Sequence, residues 1–234
     1  MLRRVVVVVV PGITDLVGDM LPALVPLQAH GAVLVPLTYT LFDAADSMEH
    51  LAATVWRHVV DAYAHKLRRR RLVLLGFSMG SFVVQEMLKR TPDGVHVAAA
   101  VLVGAAPPGS MRDNVPHILR GYHEFCYSEE AETRSGTNTP AVPLRRGVIA
   151  AAYLLAGRPR RFEPEDRVPV LVIHGTRDSV LPADNAHALK RMYHADLLLL
   201  PGARHNVFHD RRSVEAIQRE LGPWLVAALG LDGA

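Results

Sequence analysis

Three residues of this 234-residue chain are of the types that together make a hydroxyl reactive: Ser78, Asp178 and His205. A free serine hydroxyl is a poor nucleophile. It needs an imidazole to take its proton and a carboxylate to hold that imidazole in the right tautomer. Such a set performs acyl transfer, and the tetrahedral intermediate of acyl transfer needs hydrogen-bond donors for its oxyanion. The backbone N–H of Met79, next to the serine, is one candidate donor. The loop after the first strand should supply the other, and Ile13 N–H is best placed there.

Each of the three residues must be carried to one place by an element before it. Ser78 ends the run Leu72-Val73-Leu74-Leu75-Gly76-Phe77-Ser78-Met79-Gly80. The run is apolar, short enough for a buried strand, and followed by a helical pattern over residues 81–90. A strand turning directly into a helix around Gly-x-Ser-x-Gly is the context of a nucleophile elbow, and the motif has weight only in that context. The turn strains the serine backbone, so glycines on both sides remove Cβ clashes. It also puts the hydroxyl at a helix N-terminus, where backbone N–H groups favour negative charge. Asp178 follows the apolar run Val170-Leu171-Val172-Ile173, and His205 follows Leu197 to Leu200.

The remaining pattern alternates in the same way. Residues 4–10 read as a central strand, because its valines do not alternate with polar residues. A short helix is expected over 19–30, with Pro22 tolerable only in its first turn. A strand follows over 32–36, then a long helix capped by Asp46 with Glu49 as its capping-box partner. The apolar face of that helix is Leu51, Val55, Val59, Ala62 and Tyr63. Further strands are expected over 97–103, 168–174 and 197–200, with helices over 182–194 and 211–229, the last kinked at Pro223. Six strands separated by helices imply an α/β fold: a doubly wound, mostly parallel sheet with helices on both faces. In such a sheet ligands bind beyond the carboxyl ends of the strands, where all three residues fall. Residues 107–167 interrupt the alternation with two helices, over about 112–127 and 144–156, joined by the polar stretch 128–139. They read as an insertion between 1–106 and 168–234.

Composition narrows the class. Half the residues are apolar and 21% are charged, with a net charge of +3 when the histidines are neutral. That is a globular composition. The lone cysteine, Cys126, excludes an internal disulfide and a cysteine-based zinc cluster. The valine run after Arg4 stops at Pro11-Gly12, without a small-residue cleavage site and far short of the ~20 residues that span a bilayer. A cytoplasmic protein with no membrane span is therefore expected. The arginines at 68–71 read as a solvated helix C-terminus. No nucleic-acid recognition motif accompanies them, so no nucleic-acid partner is expected. The 12 histidines show no metal-binding spacing, and neither a dinucleotide fingerprint nor a phosphate-binding Gly-Lys-Ser/Thr is present, so no cofactor or metal is expected.

The segments around the three residues resemble those of the α/β-hydrolase fold superfamily. Leu75-Gly76-Phe77-Ser78-Met79-Gly80 is similar to its nucleophile elbow. Ile173-His174-Gly175-Thr176-Arg177-Asp178-Ser179-Val180-Leu181-Pro182 is similar to its acid segment, and Pro201-Gly202-Ala203-Arg204-His205 to its histidine segment. The chain order Ser, Asp, His is also that of the fold. The family's usual His-Gly before the first oxyanion residue reads Pro11-Gly12 here. Its N-terminal hairpin is absent, which implies a smaller sheet. The resemblance implies that 107–167 is a helical lid lining an acyl or alcohol pocket. It also implies a serine hydrolase acting on a small-molecule ester, with a thioester on a carrier as the alternative. Non-hydrolytic ligand receptors, cyclases and lyases share the fold. Serine at position 78 argues against dehalogenase or epoxide-hydrolase chemistry, which would use aspartate there.

Each residue has a rival reading. Asp178 could be only a turn residue or N-cap, and Asp184, its nearest competitor, reads as a helix start. His209 reads as a surface residue opening the last helix, and His174 as a satisfied core histidine. Met111, Ile118, Leu119, Phe125, Leu154 and Leu155 line a pocket or pack the insertion, with packing favoured. Cys126 reads as part of the same core. Arg145, Arg146, Arg158, Arg160 and Arg161 either attract a phosphorylated carrier or are simply solvated.

Overall fold

In the computed structural model the described residues are 2, 4–13, 17–38, 45–67, 70–110, 113, 114, 116, 117, 144–157 and 168–231. The strands are β1 (Val5–Val10), β2 (Val33–Pro36), β3 (Arg71–Phe77), β4 (Val97–Val103), β5 (Val170–Gly175) and β6 (Asp196–Leu200). They form one six-stranded sheet in the order β2-β1-β3-β4-β5-β6. Every pairing is parallel, so the expected "mostly parallel" sheet is wholly so. The helices whose whole range is described are α1 (Val17–Ala29), α2 (Met48–Leu67), α3 (Met79–Lys89), α4 (Leu144–Ala156), α5 (Asp184–Tyr193) and α6 (Arg211–Ala228).

The valine run shows why the sheet is covered on both sides. All six side chains of β1 are buried. Val6, Val8 and Val10 pack with α2, α3, α4 and α5, while Val5, Val7 and Val9 pack with α1 and α6. Successive residues of a strand point to opposite faces, so an unbroken apolar strand requires two apolar layers. β1 is followed by β2 on one side and paired with β3 on the other. That reversal of strand order is the switch point at which such sheets open a crevice.

Three local expectations need correction. Pro22 is not in the first turn: α1 begins at Val17, which puts Pro22 and Pro26 in its interior. Pro26 cannot donate to the carbonyl of Pro22. That carbonyl instead accepts from Gln218 Nε2 of α6 at 2.9 Å, so a neighbouring helix repairs the ladder. Asp46 does not cap α2. Ser47 does, its Oγ accepting from His50 N at 3.1 Å, while Asp46 pairs with His50 Nδ1 at 2.9 Å. On the apolar face of α2, Leu51, Val55 and Val59 are buried as expected, but Ala62 is exposed, and Trp56 joins the core with its indole N–H on Met87 O.

Helix α4 occupies the expected residues, and Ile149, Tyr153 and Leu154 pack onto the core, whereas Leu155 is exposed. The expected helix over 112–127 lies largely outside the described residues. So do the stretch 128–139, Met111, Ile118, Leu119, Phe125, Cys126, Arg158, Arg160 and Arg161, together with the side chains of Arg145 and Arg146. Among the described residues no helix is long and apolar enough to cross a membrane.

Candidate active site

The turn after β3 carries the serine. Ser78 has φ 51° and ψ −119°, a left-handed conformation rarely adopted by residues with a side chain. Strain of this kind costs about 1–3 kcal/mol and persists only where the surroundings enforce it. Here they do. A Cβ on Gly76 would sit 2.3 Å from Gly80 O, and one on Gly80 would sit 2.2 Å from Val10 O and 2.5 Å from Pro11 O. The elbow is thus pressed against its own strand and against the end of β1, and only glycine fits at either place. Ser81 ties the turn down further: its Oγ donates to Gly76 O at 2.6 Å or Val103 O at 3.0 Å and accepts from Val103 N at 3.1 Å. A serine at the start of a helix ordinarily caps it. Ser78 makes no such bond.

Its hydroxyl meets His205 instead. Ser78 Oγ lies 3.0 Å from His205 Nε2, and His205 Nδ1 lies 2.7 Å from Asp178 Oδ2. The three residues come from the ends of β3, β6 and β5, brought together by the parallel sheet. Phe77 backs the imidazole, their ring centroids 5.4 Å apart, and Phe208 meets Phe77 edge-on at 5.3 Å. Gly104, at the end of β4, has φ 54° and leaves room beside the ring; a Cβ there would lie 3.4 Å from His205 Cε1. No spacing in the sequence signals that Gly104 neighbours His205.

Asp178 is both a turn residue and the partner of His205. Its Oδ1 accepts from Val180 N at 2.9 Å and Leu181 N at 2.8 Å. Its Oδ2 faces His205 Nδ1 and, at 3.2 Å, His174 Nε2. Burial would push this carboxyl up, but the charge on His205 and the hydrogen bonds from His174 and His205 outweigh it and hold it well below its ordinary value. Asp178 therefore stays ionised beside an imidazole that can gain a proton.

The rival residues have other partners. Asp184 lies in the first turn of α5. His209 closes a short 3₁₀ turn, Val207–His209, and sits 3.4 Å from Asp19 Oδ2. Asp210 caps α6 through Ser213 N. His174, expected as a satisfied core histidine, is fully buried but only half satisfied: Nε2 bonds Leu181 O at 2.7 Å, while Nδ1 has no partner among the described residues. Met79 is the first residue of α3 and is buried, and Ile13 is half-buried in the loop after β1. The close approach of Gly80 to Val10 and Pro11 brings that loop against the elbow. Among the described residues no group of three or more His, Cys, Asp or Glu side chains is placed to hold a metal ion.

Comparison with known proteins agrees with this architecture. A family model described as alpha/beta hydrolase family matches residues 7–217. Among solved structures, the fold is similar to the thioesterase RedJ of the prodiginine pathway in Streptomyces coelicolor, with a TM-score of 0.68 and 18% identity over 94% of this chain and 85% of that one. It is similar to a thermophilic esterase from Thermogutta terrifontis, with a TM-score of 0.65 and 18% identity over 96% and 90%. It is also similar to a soluble variant of monoglyceride lipase from Saccharomyces cerevisiae, with a TM-score of 0.69 and 14% identity over 96% and 87%. A sequence comparison with curated proteins finds no match. The chain belongs to the alpha/beta hydrolase family.

Proposed function

We propose that the chain is a serine hydrolase that cleaves a carboxylic ester through an acyl-enzyme. One observation carries the reading: His205 bridges Ser78 Oγ at 3.0 Å and Asp178 Oδ2 at 2.7 Å with its two ring nitrogens. In the first half-reaction Ser78 Oγ attacks the ester carbonyl carbon as its proton passes to His205 Nε2. The carbonyl oxygen gains the negative charge, which the N–H groups of Ile13 and Met79 receive. The imidazolium is stabilised by ionised Asp178, which keeps its own proton-free state throughout. The carbon–oxygen bond to the alcohol then breaks, and His205 returns the proton to the leaving alkoxide. In the second half-reaction a water gives its proton to His205 and adds to the acyl carbon. Collapse of that intermediate breaks the bond to Ser78 Oγ, which takes the proton back, and the acid departs.

The insertion at 107–167 forms, in this reading, a lid over the acyl or alcohol group. A thioester would follow the same steps with a thiolate as leaving group, and RedJ, a structural neighbour, is called a thioesterase. A panel of p-nitrophenyl esters and acyl thioesters tests the reading. The expected result is turnover of short or medium acyl esters with an initial burst of about one nitrophenol per protein, the mark of an acyl-enzyme. Tight binding without turnover of any ester or thioester would favour a non-hydrolytic role.

A further inference from the structure

His174 takes no part in the proton transfers above, yet it is the second imidazole on the same carboxylate. It lies near the end of β5 on the face that carries Val170 and Val172, and it is fully buried. Its Nε2 lies 2.7 Å from Leu181 O and 3.2 Å from Asp178 Oδ2, and its Nδ1 is buried without a partner among the described residues. A neutral imidazole carries one N–H. Placed on Nε2, that proton is shared by two acceptors. Placed on Nδ1, it would be a stranded donor, at a cost of about 1–3 kcal/mol, and would leave the Nε2 lone pair against two oxygens. In the neutral ring the proton therefore sits on Nε2.

We propose that His174 is a positioning residue for the acid of the Ser78–His205–Asp178 relay. The inference deepens the hydrolase reading and rests on it. Asp178 Oδ1 is held by two backbone N–H groups of the loop Val180–Leu181, and Leu181 O accepts from the imidazole that also faces Oδ2. One side chain thus grips both the carboxylate and the loop that supplies its other donors. This leaves Oδ2 turned toward His205 Nδ1. An apolar side chain would fill the same space without burying an unpartnered nitrogen, so packing alone gives no reason for an imidazole here. Among the described residues, the ionisable groups acting on Asp178 are His205 and His174.

The test compares two amides in the whole chain. In His174→Gln the side-chain N–H₂ can reach roughly the place of Nε2; in His174→Asn it stops near Nδ1. With a p-nitrophenyl ester, His174→Asn is expected to lower kcat about ten- to hundredfold with KM within about twofold, and His174→Gln to recover most of the loss. His174→Leu fills the site without a stranded amide, so it should fold and be as slow as His174→Asn. The low-field proton resonance of the His205 Nδ1–H in the free protein should broaden or move upfield in the Asn and Leu variants and return in the Gln variant. Equal kcat in all three folded variants, or a Gln variant as slow as Leu, would overturn the proposal. A wild-type protein that shows no burst and no turnover would instead defeat the hydrolase reading. The resonance alone then decides the role of His174, an unchanged signal in the Leu variant counting against it.

Discussion

Two carboxylates are buried among the described residues, and they are satisfied in opposite ways. Glu86, on α3, is 1% exposed and pairs with Lys89 at 2.5 Å and Arg90 at 2.7 Å, three and four residues along the same helix. Lys89 also lies 5.2 Å from the centre of the Tyr153 ring, which stacks on Phe82. Asp178 is 7% exposed and has no Lys or Arg partner among the described residues. It is held by two backbone N–H groups and two imidazoles, one of them from 27 residues away. A carboxylate against permanent cations has its charge cancelled and is inert. A carboxylate held by backbone N–H groups and imidazoles keeps its charge available to stabilise an imidazolium. On the proposed reading of Asp178, burial alone does not mark a working acid; the kind of partner does.

The comparison can be broken from either side. The largest effect is expected at His205, the group that gives Asp178 its use: His205→Ala should lower kcat for an ester by roughly 10⁴-fold or more with little change in KM. Asp178→Asn should come next, with a loss of roughly 10³–10⁴-fold, because an amide N–H₂ in place of Oδ2 would donate to His205 Nδ1 and hold the imidazole in the wrong tautomer. Glu86→Gln should leave kcat within about twofold while lowering stability by about 1–3 kcal/mol in chemical denaturation, since Lys89 and Arg90 lose a buried partner. A Glu86→Gln protein with kcat reduced as far as in Asp178→Asn would erase the distinction.

Acid sharpens it with a smaller effect. The carboxyl of Asp178 is held below its ordinary value of 3.8, so near that pH the unfolded chain binds more protons than the folded one. The stability this contributes is fully present above the ordinary value and is lost as pH falls below it. The urea midpoint of the wild type should therefore drop more steeply below about pH 4 than that of Asp178→Asn. Parallel curves would mean that the four donors on Asp178 hold it no more tightly than water does.

Much of this was legible in the chain because the features are local. Gly76 and Gly80 flank Ser78 at fixed spacing, and apolar runs locate the strands by length alone. The order of Ser78, Asp178 and His205, each just past a strand, carries the convergence as soon as the sheet is parallel. What was hidden depends on how the chain is placed in space, which spacing alone does not encode. Pro22 and Pro26 are tolerable inside α1 because Gln218 repairs one carbonyl from α6. Ser47 rather than Asp46 caps α2, a choice between adjacent good caps that depends on where the chain enters the helix. A single histidine before Gly175 carries no spacing signal; His174 acquires its role only when the loop returns Leu181 O and Asp178 to its Nε2.

The central claim is that the hydroxyl at the elbow, activated by the imidazole beside it, is the nucleophile. Labelling with a fluorophosphonate, followed by peptide mapping by mass spectrometry, addresses it most directly. The account predicts a single adduct on Ser78, absent from Ser78→Ala and strongly slowed in His205→Ala. No adduct on the wild type, or one that persists in Ser78→Ala, would contradict it.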